Sequence, residues 1–454
     1  MTPVPGSITV VGLGPGDPAL LTLGARAALD RAARIVLRTS IHPGLNLDLA
    51  SDPRVVACDD FYEDGSTFDE VYAAIAERVL AVTREVHGEV VYAVPGHPKF
   101  GERTVDLLLP AAAAAGIPVV VLPAVSYLDA VAIAVGADPM AAGLQLLDAL
   151  DLRAALDAEP FAGGLLAVDP TRPLLIAQVY DREAATAAKL WLARTYPDDH
   201  PVTVLSAAGV AGEQSVTQAK LYELDRLAVD HLTSVWVQPL DELDAARSAV
   251  TLQRIVARLR GPGGCPWDHK QSHASLRQAV IEEAFETVDA IDAGDPDNLA
   301  EELGDLLIQV ALHAQIAEEA GEFVLEDVYE AVNRKLVRRH PHVFGKVVAE
   351  TAGEVVRTWE SVKAAERARS GKPAKTAGHP LDALPRSMPA LERARALLGP
   401  RKGDAPPNAE PDALAAAGGT ILAAVEAALA EGIDPDQALE RVLRLRFATA
   451  ATST

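Results

Sequence analysis

Residues 280–291 read VIEEAFETVDAI, and they decide what the second half of the chain is. Leu276, Val280, Ala284, Val288 and Ile291 recur at the spacing of one helical face, so the stretch reads as an amphipathic helix. Glu282, Glu283 and Glu286 nevertheless fall within five residues, with no lysine or arginine among them. Like charges this close on a helix repel. The arrangement needs a cation from elsewhere.

The following helix repeats the device. Its apolar stripe is Leu299, Leu303, Leu306, Val310 and Ala314. At ~100° per residue, Glu283 and Glu286 stand roughly 80° and 140° from the first stripe, and Glu302 and Asp305 at about the same offsets from the second. An antiparallel hairpin packed stripe on stripe brings two carboxylate pairs towards each other. Oxygen-only ligands at this charge density suit Mg²⁺ or Mn²⁺ rather than zinc. Spacing alone leaves Glu282 and Glu283 as alternatives, and a solvated acidic flank is the bland reading of either pair.

At 454 residues the chain has room for two or three domains. A net charge of −23 argues against nucleic acid or an anionic membrane as the main partner, because no surplus of cations exists to neutralise phosphates. Cys58 and Cys265 are the only cysteines, so a disulfide framework is not expected and a reducing compartment fits. The N-terminal MTPVPGSITVVGLG has neither the basic start of a signal peptide nor the length of a membrane span. The expectation is a cytoplasmic protein.

From Ser7 to about Pro239 short β-branched runs (ITVVGLG, EVVYAVPG, IPVVVLPA, PVTVLSAAG, SVWVQPL) alternate with alanine-rich stretches such as LLTLGARAALDRAARIV, read as helical. That is an α/β domain over 1–240. After Asp241 the strands stop, and an all-helical domain is expected over 241–370, interrupted by a GPGGCPWD loop. Segments 367–384 and 400–412 read as linkers, and a last helical piece covers roughly 413–447. That piece repeats the apolar pattern that begins at Glu301 but places Ala417 and Thr420 where Glu302 and Asp305 stand.

RKLVRRHPHVFG (334–345) crowds Lys335, Arg338 and Arg339 onto little more than one turn, and TWESVK sets Trp359 and Lys363 four apart. Cations for phosphates, a ring for a base and carboxylates for a metal together outline a nucleoside triphosphate site. His340 and His342 flank Pro341 without thiolates or a third ligand, which makes a zinc site there a poor reading.

These stretches, with EELGDLLIQVALHAQIA and WESVKAAE, closely resemble the MazG family of nucleoside triphosphate pyrophosphohydrolases. The resemblance implies an all-α, dimeric domain that cleaves between the α- and β-phosphates. It also implies metal ligation by Glu283, Glu286, Glu302 and Asp305, which selects Glu283 over Glu282. Catalytic cations would be Lys335, Arg338, Arg339 and Lys363, and nucleotide contacts Lys335, Arg339 and Trp359. The last helical piece looks like a degenerate second MazG half-repeat within 371–454, without catalysis of its own.

Gly12, Gly14 and Gly16 follow the first strand, a weak signal alone. With YAVPGHPKFGERT and VLPAVSYLDAVAIAVGADP, they resemble the tetrapyrrole (corrin and porphyrin) methylases that use S-adenosylmethionine. Gly12, Gly14, Gly16, Gly96 and Ser126 are the implied cofactor-binding positions. The chain departs from that family with Gly96-His97-Pro98 in place of Gly-Asp-Pro, and with Pro123-Ala124-Val125-Ser126-Tyr127 in place of Pro-Gly-x-Ser-Ser. The leading expectation is a Mg²⁺-dependent nucleotide pyrophosphohydrolase. The competing one is a tetrapyrrole-type methyltransferase whose helical part dimerises it or senses nucleotides.

Overall fold

The computed structural model describes residues 6–43, 49, 51–63, 67–159, 168–369, 381, 384–398 and 411–448. They fall into two compact units, Met1–Ala320 and Gly321–Thr454.

In the first unit, strands β1 (Ser7–Gly12), β2 (Arg34–Leu37), β3 (Val55–Ala57), β4 (Glu89–Val94) and β5 (Val119–Val121) form a parallel sheet in the order β3-β2-β4-β1-β5. Both faces are covered, so the strands are apolar at nearly every position rather than at alternate ones. Val90, Tyr92 and Val94 join the core with the helices Phe68–Glu85 and Arg103–Ala114, whereas Val91 and Ala93 join the helix Leu23–Arg31. A second sheet follows, built from β6 (Gln145–Asp148), β7 (Leu174–Ala177), β8 (Pro201–Ser206), β9 (Ser215–Lys220) and β10 (Thr233–Val237). Its order is β6-β7-β10-β8-β9, and only β6 and β7 run parallel.

The five strands read from the sequence are β1, β4, β5, β8 and β10. The stretch LLTLGARAALDRAARIV is not helical to its end. Its helix stops at Arg31, Ala32 turns to φ −56° and ψ 136°, and Arg34–Leu37 enters the sheet as β2. Ile35, Val36 and Leu37 are fully buried there, and burial between two layers outweighs the helical period of the preceding alanines.

The loops after β1 and β4 clasp each other through main-chain atoms alone. Gly14 N–H donates to the Gly96 carbonyl at 3.1 Å, and Gly96 N–H returns a bond to the Gly14 carbonyl at 3.0 Å. Both residues have positive φ, +78° and +64°, where glycine alone is unstrained.

Beyond Asp241 every element described is helical. In the first unit these are Ala249–Arg260, Pro266–His269, Arg277–Ala293 and Pro296–Ala320. Val256, Leu276, Ala311 and Leu312 form their core. Arg254 ties the first of these helices to the second sheet's domain, reaching Asp169 at 3.0 Å and Thr171 at 3.1 Å. The GPGGCPWD loop wraps a buried guanidinium: Arg260 pairs with Glu319 at 2.7 Å and donates to the carbonyls of Asp268 and Gln271.

The second unit comprises Leu325–Arg339, Pro341–Phe344, Ala352–Arg369, Ala390–Leu398, Pro411–Ala430 and Pro435–Ala448. The expected linkers lie largely outside the described residues, as do the chain's last six. The segment read as a degenerate repeat contains the helices Pro411–Ala430 and Pro435–Ala448, with Ala417 and Thr420 on the first. Domain limits near 240 and 370 remain our proposal, since the break after Ala320 is one of packing.

A methyl group on Gly12 would meet the Gly96 carbonyl oxygen at 2.2 Å and Ala124 Cβ at 2.6 Å. Gly12→Ala should therefore destabilise the α/β region by about 1–3 kcal/mol through overpacking, read as a lower melting temperature. An unchanged melt would show that the clasp yields freely.

Candidate functional site

The acidic helix Arg277–Ala293 ends at Gly294, whose φ of +67° lets the chain reverse. Asp295 then accepts from the N–H groups of Asp297 and Asn298 at 3.1 and 3.2 Å, starting the return helix Pro296–Ala320. The expected helical hairpin forms. Carboxylate oxygens of Glu283, Glu302 and Asp305 lie within 4.8 Å of one another, the one such group among the described residues. Glu286 stands beside them, near enough for its charge to act on both Glu283 and Glu302. Glu282 is exposed and faces Gln278 at 3.3 Å, so the geometry selects Glu283, the alternative that spacing had left open.

The hairpin does not close stripe on stripe. Leu276 and Ala314 are buried, but Val288, Ile291, Leu303 and Val310 remain 49%, 57%, 50% and 43% exposed. The buried positions are instead Thr287 and Ala290 on one helix and Gln309, Ala311, Leu312, Ala314 and Ala317 on the other. Small residues let the backbones approach, and Glu283 lies on the same helical face as Thr287 and Ala290. The acids therefore continue the seam rather than flank it.

Desolvation, then the charges of Asp305 and Glu286, push the Glu283 carboxyl above its usual range. Desolvation and the Glu286 and Asp305 charges do the same to Glu302. Oxygen donors that repel one another this way fit a hard divalent cation, whose charge removes the conflict. Glu283, Glu302 and Asp305, with Glu286 adjoining, are the residues that would hold it.

In the second unit two of the four predicted cations share one carboxylate, while Lys363 lies 3.6 Å from Glu360. Arg339 Nη2 lies 2.8 Å and Arg338 Nε 2.5 Å from Glu366. Trp359 carries two cations, with Arg339 Cζ 5.3 Å and Lys363 Nζ 4.4 Å from its ring centre. Lys335 is exposed one turn earlier, beside Asp327 and Val332. His340 bonds the Leu336 carbonyl at 2.7 Å, and no group of three metal-capable residues includes it or His342 among the described residues. Glu366 was not singled out in the sequence. Its signal is a spacing of seven from Trp359, which puts both on one helical face.

The α/β part of the first unit holds a cleft of about 430 Å³. Pro15, Arg38 and Pro95–Gly96 reach it from just beyond the carboxyl ends of β1, β2 and β4, where open α/β sheets bind ligands. Of the four glycines and one serine expected at a cofactor, Gly96 lines the cleft. Gly12, Gly14 and Gly16 shape the neighbouring loop, and Ser126 caps the helix Tyr127–Val135. Sequence reading missed Arg38, Glu102, Asp148 and Gln178. Arg38 Nε sits 3.4 Å from Glu102, and Gln178 donates to Asp148 at 2.6 Å. Burial pushes both the Glu102 and Asp148 carboxyls upward. Gln178 (φ 59°) and Ala207 (φ 52°), the non-glycine residues of positive φ among those described, both line this cleft.

The family description "MazG nucleotide pyrophosphohydrolase domain" matches residues 271–344, and "Tetrapyrrole (Corrin/Porphyrin) Methylases" matches 7–225. An uncharacterized Bacillus subtilis protein, YabN, is 40% identical over 397 residues, 86% of this chain and 76% of that one. The Escherichia coli K12 nucleoside triphosphate pyrophosphohydrolase is 47% identical over 145 residues, 32% of this chain and 53% of that protein, so only about half of that relative is spanned. A uroporphyrin-III-C-methyltransferase structure from Thermus thermophilus aligns with 52% of this chain and 94% of its own, at 23% identity and a TM-score of 0.40.

Carboxyls raised in the folded state favour folding below their unfolded pKa and oppose it once pH passes the raised folded value. Without metal, the hairpin should therefore lose stability as pH climbs above the ordinary carboxylate range, and Mg²⁺ should restore it most at neutral pH. Glu302→Gln should melt higher than wild type without metal and gain less from Mg²⁺, in thermal melts at pH 5 and pH 7.5. Equal Mg²⁺ gains in both proteins would remove Glu302 from the metal site.

Proposed function

Because the chain belongs to the MazG family of nucleoside triphosphate pyrophosphohydrolases, in the form joined to an N-terminal tetrapyrrole methylase-like domain, we propose that it hydrolyses nucleoside triphosphates to monophosphates and pyrophosphate. The observation that carries this reading is the convergence of Glu283, Glu302 and Asp305 on one hairpin seam. Mg²⁺ (or Mn²⁺), when bound there, supplies charge and Lewis acidity to the phosphate chain. Lys335, Arg338, Arg339 and Lys363 balance the remaining phosphate charge, and Trp359 offers a ring to the base. A carboxylate of the cluster takes the proton of the attacking water. Removal of unwanted triphosphates from a cytoplasmic nucleotide pool is the role this chemistry suits.

Homodimerisation through the helical part is included in this reading. Phe285, Val288, Ile291, Leu303, Leu307 and Val310 leave a large apolar surface on the acid hairpin, each at least 43% exposed. Surfaces of this kind mark association sites.

A second reading concerns the α/β cleft and is favoured by its lining. Asp148 and Asp151 outweigh Arg38, which is held by Glu102. An organic cation such as S-adenosylmethionine fits that charge and size, and a polycarboxylate tetrapyrrole does not. Cofactor binding without tetrapyrrole turnover is the form of methylase-like activity we propose.

Incubation with a panel of nucleoside triphosphates and Mg²⁺ should release pyrophosphate and the monophosphate. Glu283→Gln should lower kcat by at least about 100-fold while the helices stay folded, since it keeps volume and loses a ligand charge. Orthophosphate as the first product would overturn the reaction class. In sedimentation, Leu303→Glu should shift a dimer towards monomer, and a wild-type monomer would refute the association.

A further inference from the structure

Arg338 and Arg339 are consecutive residues at the end of the helix Leu325–Arg339. Consecutive side chains leave a helix ~100° apart, so two such guanidinium groups diverge unless something gathers them. The helix end offers no help with an anion, because a C-terminus presents carbonyl oxygens and the negative end of the dipole. Glu366, from the helix Ala352–Arg369, does the gathering. Arg339 gives its carboxylate Nε, at 3.2 and 3.3 Å, and Nη2, at 2.8 Å, while Arg338 gives Nε, at 2.5 Å.

A guanidinium has five N–H donors in a rigid fork. Nε lies on one edge of that fork, so a carboxylate held there leaves the outer nitrogens free. Arg338 keeps both Nη groups and Arg339 keeps Nη1 clear of Glu366. The two Nε edges meet at one shared carboxylate. Arg339 also lies over the Trp359 ring, so holding Arg339 fixes the cation on the ring as well.

We propose that Glu366 is a positioning residue for the nucleotide's phosphate chain, converting two divergent arginines into one anion seat and fixing Arg339 against Trp359. It rests on the reading that Arg338 and Arg339 bind phosphate. Glu366 touches neither substrate nor metal and acts through the arginines. Its carboxyl is held down to about 2 by Arg339 and then Arg338, so it stays charged at every pH at which the enzyme would work. Glu366 is only 18% exposed, whereas Arg338 is 50% exposed and open to a ligand. Asp cannot replace it, because one methylene less removes the reach to both guanidinium groups.

The test uses the full-length protein and two readouts. Calorimetric titration with inorganic tripolyphosphate measures the seat without hydrolysis, and steady-state kinetics with a nucleoside triphosphate and Mg²⁺ measure its use. Glu366→Gln should weaken tripolyphosphate binding and raise KM by about tenfold each, with a smaller change in kcat. Glu366→Asp should resemble Glu366→Gln. In an Arg339→Ala background, Glu366→Gln should add little, since the residue acts through that arginine. Thermal melts of each variant separate loss of the seat from loss of the fold. Tighter tripolyphosphate binding in Glu366→Gln would mean that the carboxylate competes with phosphate, and the proposal falls. Full additivity with Arg339→Ala, or wild-type values in Glu366→Gln, also overturns it. A wild type that binds tripolyphosphate but hydrolyses nothing refutes the pyrophosphohydrolase reading and leaves the seat to be judged by titration alone.

Discussion

Mutual repulsion among carboxylates is the constraint on which the helical part depends. Glu283, Glu302 and Asp305 are brought within 4.8 Å of one another, with no lysine or arginine between them among the described residues. Something must hold the two helices together against that charge. At one end the short reversal through Gly294 fixes their separation. Along the seam Thr287 and Ala290 are small and buried, and the core of Val256, Leu276, Ala311 and Leu312 anchors the return helix. Farther along that helix, the Arg260–Glu319 pair and the loop wrapped round Arg260 secure the end remote from the acids.

The basic cluster meets the opposite problem by another route. Arg338 and Arg339 are like charges on neighbouring residues, and the chain supplies their counter-ion itself in Glu366. Among the described residues, no lysine or arginine faces the acids of the first unit as Glu366 faces the arginines. An internal carboxylate leaves guanidinium donors to spare, whereas an internal lysine between the glutamates would fill the position a metal needs. The first arrangement is of the kind that fits an ion, and the second is of the kind that holds side chains.

Much of this was legible in the sequence, and the failures have physical causes. The change from α/β to helix near Asp241 and five strands follow from spacing and turn chemistry, as do the two carboxylate pairs apart from the choice between Glu282 and Glu283, which the MazG resemblance made. The seam was misplaced because period alone treats apolar residues as the inward face. Here Phe285, Val288 and Leu303 point outward in the single chain, and small polar or alanine positions close the hairpin. β2 was hidden because ARIV follows an unbroken helical run, and only burial between two layers makes it a strand. Arg38, Asp148 and Gln178 carried no local motif, and Glu102 lay unmarked within YAVPGHPKFGERT. They meet through the topology, the first three at the ends of β2, β6 and β7 and Glu102 at the start of the helix Arg103–Ala114.

The reciprocal bonds between Gly14 and Gly96 have an evolutionary consequence. Because the clasp is main chain to main chain, its geometry places no demand on the side chain at position 97 or 124 beyond fitting the space. Those positions can drift while the loops beside the cleft keep their path. A lineage can thus exchange the chemistry performed beside the clasp without first dismantling the architecture.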